Sequence, residues 1–182
     1  SPAFEHLGSV PAVHTCEGRD VSPALDWTGV PAGARSLVLI VDDPDAPDPA
    51  APRMIWVHWL LYNIPPQTAS LAEAVPRDAL PPGTLEGLND WKRPGYGGPC
   101  PPIGRHRYFF KLYALDTALP DLHLPSADDA SAFAKSSPGP TPRGLTERPS
   151  ASFKQHCANG PTLAPTTTRI SDRTSSCTGS IA

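Results

Sequence analysis

Ser36-Leu37-Val38-Leu39-Ile40-Val41 runs straight into Asp42-Asp43-Pro44-Asp45-Ala46-Pro47, and this stretch decides the fold. Its first half is an unbroken apolar run rich in β-branched residues, the pattern of a strand buried on both faces. Its second half carries acids and prolines. Proline fixes φ and removes a backbone donor, so the segment reads as a rigid rim at the strand's end, not a flexible linker. Two further strands follow downstream. Ile55 to Asn63 is aromatic-rich and closed by Ile64-Pro65-Pro66; Arg107 to Leu115 nearly alternates, with Tyr108, Phe110, Leu112 and Ala114 on one face and Arg107, Phe109, Lys111 and Tyr113 on the other. Weaker strand candidates lie at Phe4 to Val10 and Leu85 to Asp90, and Ser126 to Lys135 offers one short helix. Short strands joined by proline-rich turns predict a mainly β fold: an antiparallel β-sandwich of two sheets, with Greek-key-like connections and few peripheral short helices.

Composition sets the outer bounds. A chain of 182 residues is enough for one domain with a sizeable core. Proline accounts for 25 of them, far above the usual share of about 5%, which fits turn-rich β structure, disordered sequence, or both. A net charge of −3 gives no global attraction to nucleic acid or to an anionic membrane. No apolar run approaches the roughly 20 residues of a transmembrane helix, and Ser1 to His6 lacks the pattern of a signal peptide. Cys16, Cys100, Cys157 and Cys177 fit no metal-binding spacing. A cytoplasmic protein with no cofactor is the expectation. Near residue 125 the character of the chain changes. Beyond about Ser136, Ser, Thr, Pro and Gly dominate without periodicity, so 1–124 is read as the domain and 125–182 as a divergent, disordered Ser/Thr/Pro-rich tail.

The chemistry-bearing residues cluster beside these strands. His58 follows Trp56-Val57 in the second strand and shares a face with Trp56 and Leu60. His106 and Tyr108 stand two apart before the third, so both leave on one face. If the strands are neighbours, the two imidazoles converge at one end of the sheet, with Asp43 and Asp45 in a loop that leans over it. Two imidazoles, a phenol and an acidic rim make a small polar site in which an Asp orients a histidine. Each feature also has a plainer explanation. A single strand histidine is usually structural, Asp-Pro pairs often only start turns, and Gly97-Gly98 fits a loop whose backbone needs unusual φ/ψ.

Taken together, Asp43-Pro44-Asp45-Ala46-Pro47, the Trp56-Val57-His58-Trp59 strand and the run Gly98-Pro99-Cys100-Pro101-Pro102-Ile103-Gly104-Arg105-His106-Arg107-Tyr108 resemble the phosphatidylethanolamine-binding protein family, also called Raf kinase inhibitor protein-like, and its bacterial branch most of all. Ser22 to Trp27, Asn63-Ile64-Pro65 and Gly87 to Trp91 are similar to bacterial members too, and the likeness covers roughly residues 3–124. The resemblance implies a two-sheet β-sandwich and a small surface pocket for phosphate-like anions and phospholipid head groups. By position it implies that Asp43, Pro47, His58, Pro102, His106 and Tyr108 form that pocket. On the same reading His58 and His106 donate to the anion, Tyr108 closes one side, Asp43 orients a histidine, Asp45 holds the loop, and Trp56, Trp59 and Tyr96 pack around it. Cys16 and Cys100 sit in family-like segments that could approach each other; two isolated thiols are expected in a cytoplasmic protein.

Beyond Leu122 the likeness fades, and the expectation is a reading-frame change between about His123 and Ala134, which would leave an apolar face of the sandwich less covered. The function expected is binding of a small anion or phospholipid head group, with modulation of a kinase or other partner protein, and a homodimer, left open. No nucleophile elbow is present. The alternatives are a hydrolase or metal-dependent enzyme using His58 or His106 with Asp43, and a pure interaction module.

Overall fold

The computed structural model describes residues 1–6 and 8–127, together with the backbone of Phe153–Ala158 and Ser176–Ile181. The strands in chain order are β1 (Leu25–Asp26), β2 (Ser36–Ala46), β3 (Met54–Ile64), β4 (Ser70–Leu71), β5 (Leu85–Glu86), β6 (Phe109–Leu115), β7 (Phe153–Ala158) and β8 (Ser176–Ile181). An antiparallel sheet of order β5-β3-β2-β6 faces the small antiparallel sheet β1-β4, and β7 pairs with β8. The mainly β, two-sheet architecture expected from the sequence is therefore present. Single 3-10 turns at Ala12–His14 and Arg77–Ala79 lie at its periphery. The expected tail and the helix at Ser126 to Lys135 fall mostly outside the described residues.

β2 occupies the centre because its side chains are apolar in both directions. Leu37, Leu39 and Val41 join Leu25, Trp27, Trp59, Leu61, Leu71 and Phe110 between the two sheets. Val38 and Ile40 point the other way, against Leu60, Tyr62 and Leu119. In β6 the expected alternation holds: Phe110, Leu112 and Ala114 reach the inter-sheet core, while Tyr113 is exposed. Near the end of β3, Asn63 adopts φ 56, a left-handed conformation that asparagine tolerates better than most residues. The resulting irregularity turns Ile64 into the same cluster as Leu61. Asn63 also clasps the returning chain, accepting from Leu119 N at 2.8 Å and donating to Leu119 O at 2.7 Å.

Several boundaries differ from the sequence reading. The described residues of the Phe4 to Val10 candidate form no strand; Phe4 and Val10 instead reach the core from irregular backbone, with Phe4 against Phe110 at 6.1 Å between ring centroids. The Leu85 to Asp90 candidate shrinks to the two residues of β5. β6 begins at Phe109, so His106 to Tyr108 form an extended lead-in. The largest difference is that β2 runs on to Ala46, which places Asp43 and Asp45 inside the strand and not beyond its end. Register shifts after Val41 and Asp43 accommodate Pro44, which has no ladder donor. Cys16 and Cys100 are not isolated thiols: they form a disulfide across 84 residues of sequence.

Leu61 is fully buried among residues of both sheets. Leu61→Ala should cost about 2–5 kcal/mol of unfolding free energy. Ile55→Ala, at a side chain 59% exposed, should cost less than about 1 kcal/mol. Urea titration of both variants checks the pair.

Candidate functional site

The site grows from the end of β2, where Asp42, Asp43 and Asp45 are all buried. An unpaired carboxylate is expensive to bury, so each needs a cationic or hydrogen-bonding partner. One segment of chain supplies all three. Lys111 Nζ donates to Asp42 Oδ2 at 2.5 Å, His106 Nδ1 lies 2.6 Å from Asp43 Oδ2, and Arg107 donates from Nη2 to Asp45 Oδ1 at 2.6 Å and from Nε to Oδ2 at 2.8 Å. Arg107 N also donates to Asp45 Oδ2, and Asp45 N to Asp43 Oδ1, both at 2.8 Å. Burial raises the Asp42 and Asp43 carboxyls above their ordinary range, opposed by Lys111 and His106 respectively. Burial pushes Asp45 the same way, but the Arg107 hydrogen bonds outweigh it and hold that carboxyl low. Asp45 thus ties the end of β2 to the lead-in of β6 through Arg107.

The two histidines are held differently. His106 has acceptors at both nitrogens, Asp43 Oδ2 at Nδ1 and Ile103 O at 2.9 Å from Nε2. The Ile103 carbonyl can only accept, so Nε2 donates to it, while Nδ1 shares a hydrogen bond with the Asp43 carboxyl. In this arrangement both His106 ring nitrogens are hydrogen-bonded to the protein itself. His58 Nδ1 donates to Gly97 O at 2.7 Å, while its Nε2 is buried without a partner. Burial lowers the His58 pKa to about 4 despite the Gly97 and Gly98 carbonyls, so the ring is neutral near pH 7 with its Nε2 lone pair available.

Tyr108 completes the group. Its ring meets His58 edge-on at 5.0 Å and stacks on His106 at 6.5 Å. Its hydroxyl is buried beside the Asp43 carboxylate without a well-formed hydrogen bond. Burial, helped by the negative charge of Asp43, raises the phenol's pKa, so it remains a donor. Gly97 and Gly98 are needed for space, not for unusual φ/ψ. A Cβ on Gly97 would lie 2.6 Å from the Trp91 ring, and one on Gly98 2.4 Å from His14 O.

A cavity of about 290 Å³ brings these residues together. Asp43, Pro47, His58, Pro102, His106 and Tyr108 all line it, as does Trp56. Trp59 and Tyr96, expected around the pocket, line a separate cavity and pack on each other at 5.7 Å. Trp91 is a wall that the sequence reading did not assign to the site. It packs edge-on against Trp56 and His58, at 5.4 and 5.1 Å. Asp90 brings it there by accepting from Val57 N at 2.7 Å and donating its own N–H to Val57 O at 2.9 Å. The Gly87 to Trp91 motif was the signal available for it. Met54 lines the cavity too and carried no such signal, whereas Cys100, also in the wall, lies within the Gly98 to Tyr108 motif.

A family profile described as "PBP: Phosphatidylethanolamine-binding protein" matches residues 1–139. A UPF0098 protein of Methanothermobacter thermautotrophicus is 54% identical over 119 residues, covering 64% of this chain and 75% of that protein. The crystal structure of a phosphatidylethanolamine-binding protein homologue from Chlamydia trachomatis superposes with a TM-score of 0.66 at 37% identity, over 75% of this chain and 86% of that one. Escherichia coli YbcL, described as a new member of the mammalian family, gives a TM-score of 0.65 at 34% identity, over 74% and 87%. This chain belongs to the phosphatidylethanolamine-binding protein family. The profile match extends past residue 124, where the sequence reading ended the likeness.

His58 gives the folded state a defined acid sensitivity. The unfolded chain takes up a proton near pH 6.5, the folded chain only near pH 4, so stability falls as pH drops through that window and is unaffected above it. The loss should reach about 3 kcal/mol. Urea unfolding at pH 7.5 and 4.5 should show this acid penalty in the native protein and a smaller one in His58→Gln. Equal penalties in the two proteins would count against a neutral, buried His58.

Proposed function

We propose that this protein binds a small phosphate monoester or inorganic phosphate, of which a free phosphoethanolamine head group is one form, in the cavity between His58 and Tyr108. One observation carries the reading. Two buried polar atoms without a well-formed hydrogen bond, His58 Nε2 and Tyr108 Oη, belong to side chains that line the same cavity, the second of them beside the Asp43 carboxylate. Buried polar groups are ordinarily satisfied, so a complementary ligand is the natural partner for both. One of these atoms accepts and the other donates. A phosphate monoester carrying one proton matches them, its P–OH donating to His58 Nε2 and a P–O⁻ accepting from Tyr108. The cavity's volume suits a head group better than a whole lipid.

The same geometry favours binding over catalysis. His106 has both nitrogens engaged and is not placed to serve as a general base. His58 is oriented by a carbonyl, not by a carboxylate. Among the described residues no group of three or more His, Cys, Asp or Glu is arranged to hold a metal ion. No helix of the described residues is long and apolar enough to cross a membrane. Modulation of a kinase or other partner protein belongs to this proposal as a consequence of ligand occupancy. A cytoplasmic setting belongs to the proposal as well, although disulfides such as Cys16–Cys100 persist mainly in oxidising compartments.

Titration of the full chain with inorganic phosphate and with phosphoethanolamine, followed by calorimetry and by histidine side-chain NMR, tests the reading. Binding should be tighter at pH 5.5 than at pH 8, because a phosphate monoester loses its second proton near pH 6 and then has none to donate to Nε2. Tyr108→Phe should weaken binding by about ten-fold or more, the value of one hydrogen bond to a charged group. Binding that strengthens with rising pH, or that is indifferent to Tyr108→Phe, would overturn it.

A further inference from the structure

We propose that the Cys16–Cys100 disulfide is a redox-controlled brace of the phosphate cavity, and that its reduction by a soluble dithiol lowers the cavity's affinity for phosphate. The inference rests on the reading of the cavity given above and adds its regulation.

Cys100 is part of the cavity wall, between the buried loop Gly97-Gly98-Pro99 and the lining prolines Pro101 and Pro102. The same loop fixes His58. Gly97 N donates to His58 O at 2.9 Å, and Gly97 O receives the Nδ1 proton that sets the tautomer. Its other side is held by the N-terminal segment around the 3-10 turn. Gly98 N donates to Asp20 Oδ1 at 2.6 Å, Cys16 N to Pro99 O at 3.1 Å, and Tyr96 Oη to His14 O at 2.9 Å. His14, fully buried, ties that segment to itself by donating from Nδ1 to Val21 O at 2.9 Å. The disulfide is the covalent member of this clasp. It joins parts of the chain 84 residues apart at the point where the cavity wall meets the N-terminal segment.

Its location makes the bond addressable. Cys16 and Cys100 are both exposed although the residues before them, Thr15 and Pro99, are buried. An exposed disulfide is open to attack by a thiolate, and exposed bonds are the ones that serve as labile or regulatory links. The step is a two-electron exchange. A dithiol attacks one sulfur, the S–S bond breaks, and the dithiol leaves as a disulfide after its second thiol displaces the mixed intermediate. Two electrons and two protons pass to Cys16 and Cys100, which end as thiols. The wall at Cys100 is then attached by hydrogen bonds alone, and the Gly97 carbonyl that orients His58 is less firmly placed.

The test compares inorganic phosphate binding by the full chain, oxidised and after treatment with dithiothreitol, with amide hydrogen exchange measured on both forms. Reduction should weaken phosphate binding by about five-fold or more, the lower end of ordinary coupling between sites. It should also speed exchange in residues 96–101 while leaving β2 and β3 protected. Cys16→Ser/Cys100→Ser should bind like the reduced protein and should not respond to the reductant, which separates the effect from Cys157 and Cys177. Equal phosphate affinity in the two redox states would overturn the inference alone. Failure of the oxidised chain to bind phosphate would overturn the cavity reading, and the inference with it. General loss of protection on reduction would overturn it as well, by showing a global staple instead of a brace on the site.

Discussion

Everything near the cavity depends on one electrostatic requirement, the burial of Asp42, Asp43 and Asp45 at the end of a central strand. Carboxylates taken out of water must find charge or hydrogen-bond partners nearby. Here the partners come from the single segment His106 to Lys111, which pairs with β2 as the lead-in and start of β6. The hydrophobic part of β2 and the acidic part then impose the same register. A slip of one residue would turn the apolar set around and also leave acids facing the wrong side chains. That double condition brings Tyr108 and His58 to one cavity, because Tyr108 lies between two of the paired residues.

Much of this was legible in the sequence, and the reasons differ by element. The unpatterned apolar run of β2 announced burial on both faces, and the two faces are indeed separate clusters. The alternation from Phe110 to Ala114 announced the inward face of β6. Asp43 and Asp45 were assigned to a loop because acids and prolines break an apolar pattern. What keeps them in the strand is pairing with residues 62 and 63 positions away, which no local window contains. The disulfide was missed for a similar reason: spacing carries no information about two cysteines brought together by a fold. The positions of the site residues were legible through motif resemblance, whereas the roles of the two histidines were not. Which nitrogen is free depends on the Ile103 and Gly97 carbonyls.

The two imidazoles illustrate a division of labour within one small volume. His106 is hydrogen-bonded to Asp43 and Ile103, with the Tyr108 ring stacked beside it. His58 keeps one nitrogen uncommitted at the cost of remaining uncharged. A site with a neutral acceptor and a phenol donor discriminates among ligands by where their protons sit, not only by their net charge.

The strand order has a consequence for the chain as it is synthesised. β2 is flanked in the finished sheet by β3, which follows within a few residues, and by β6, which follows only after Phe109 has been made. A nascent β2-β3 hairpin therefore presents an apolar edge throughout the interval in which residues 65–108 are added. Unpaired strand edges of that kind are where aggregation begins. In the emerging chain the acids at the far end of β2 would keep water around part of that edge until their basic partners arrive, so the charges that shape the finished cavity would first act as a guard against premature association.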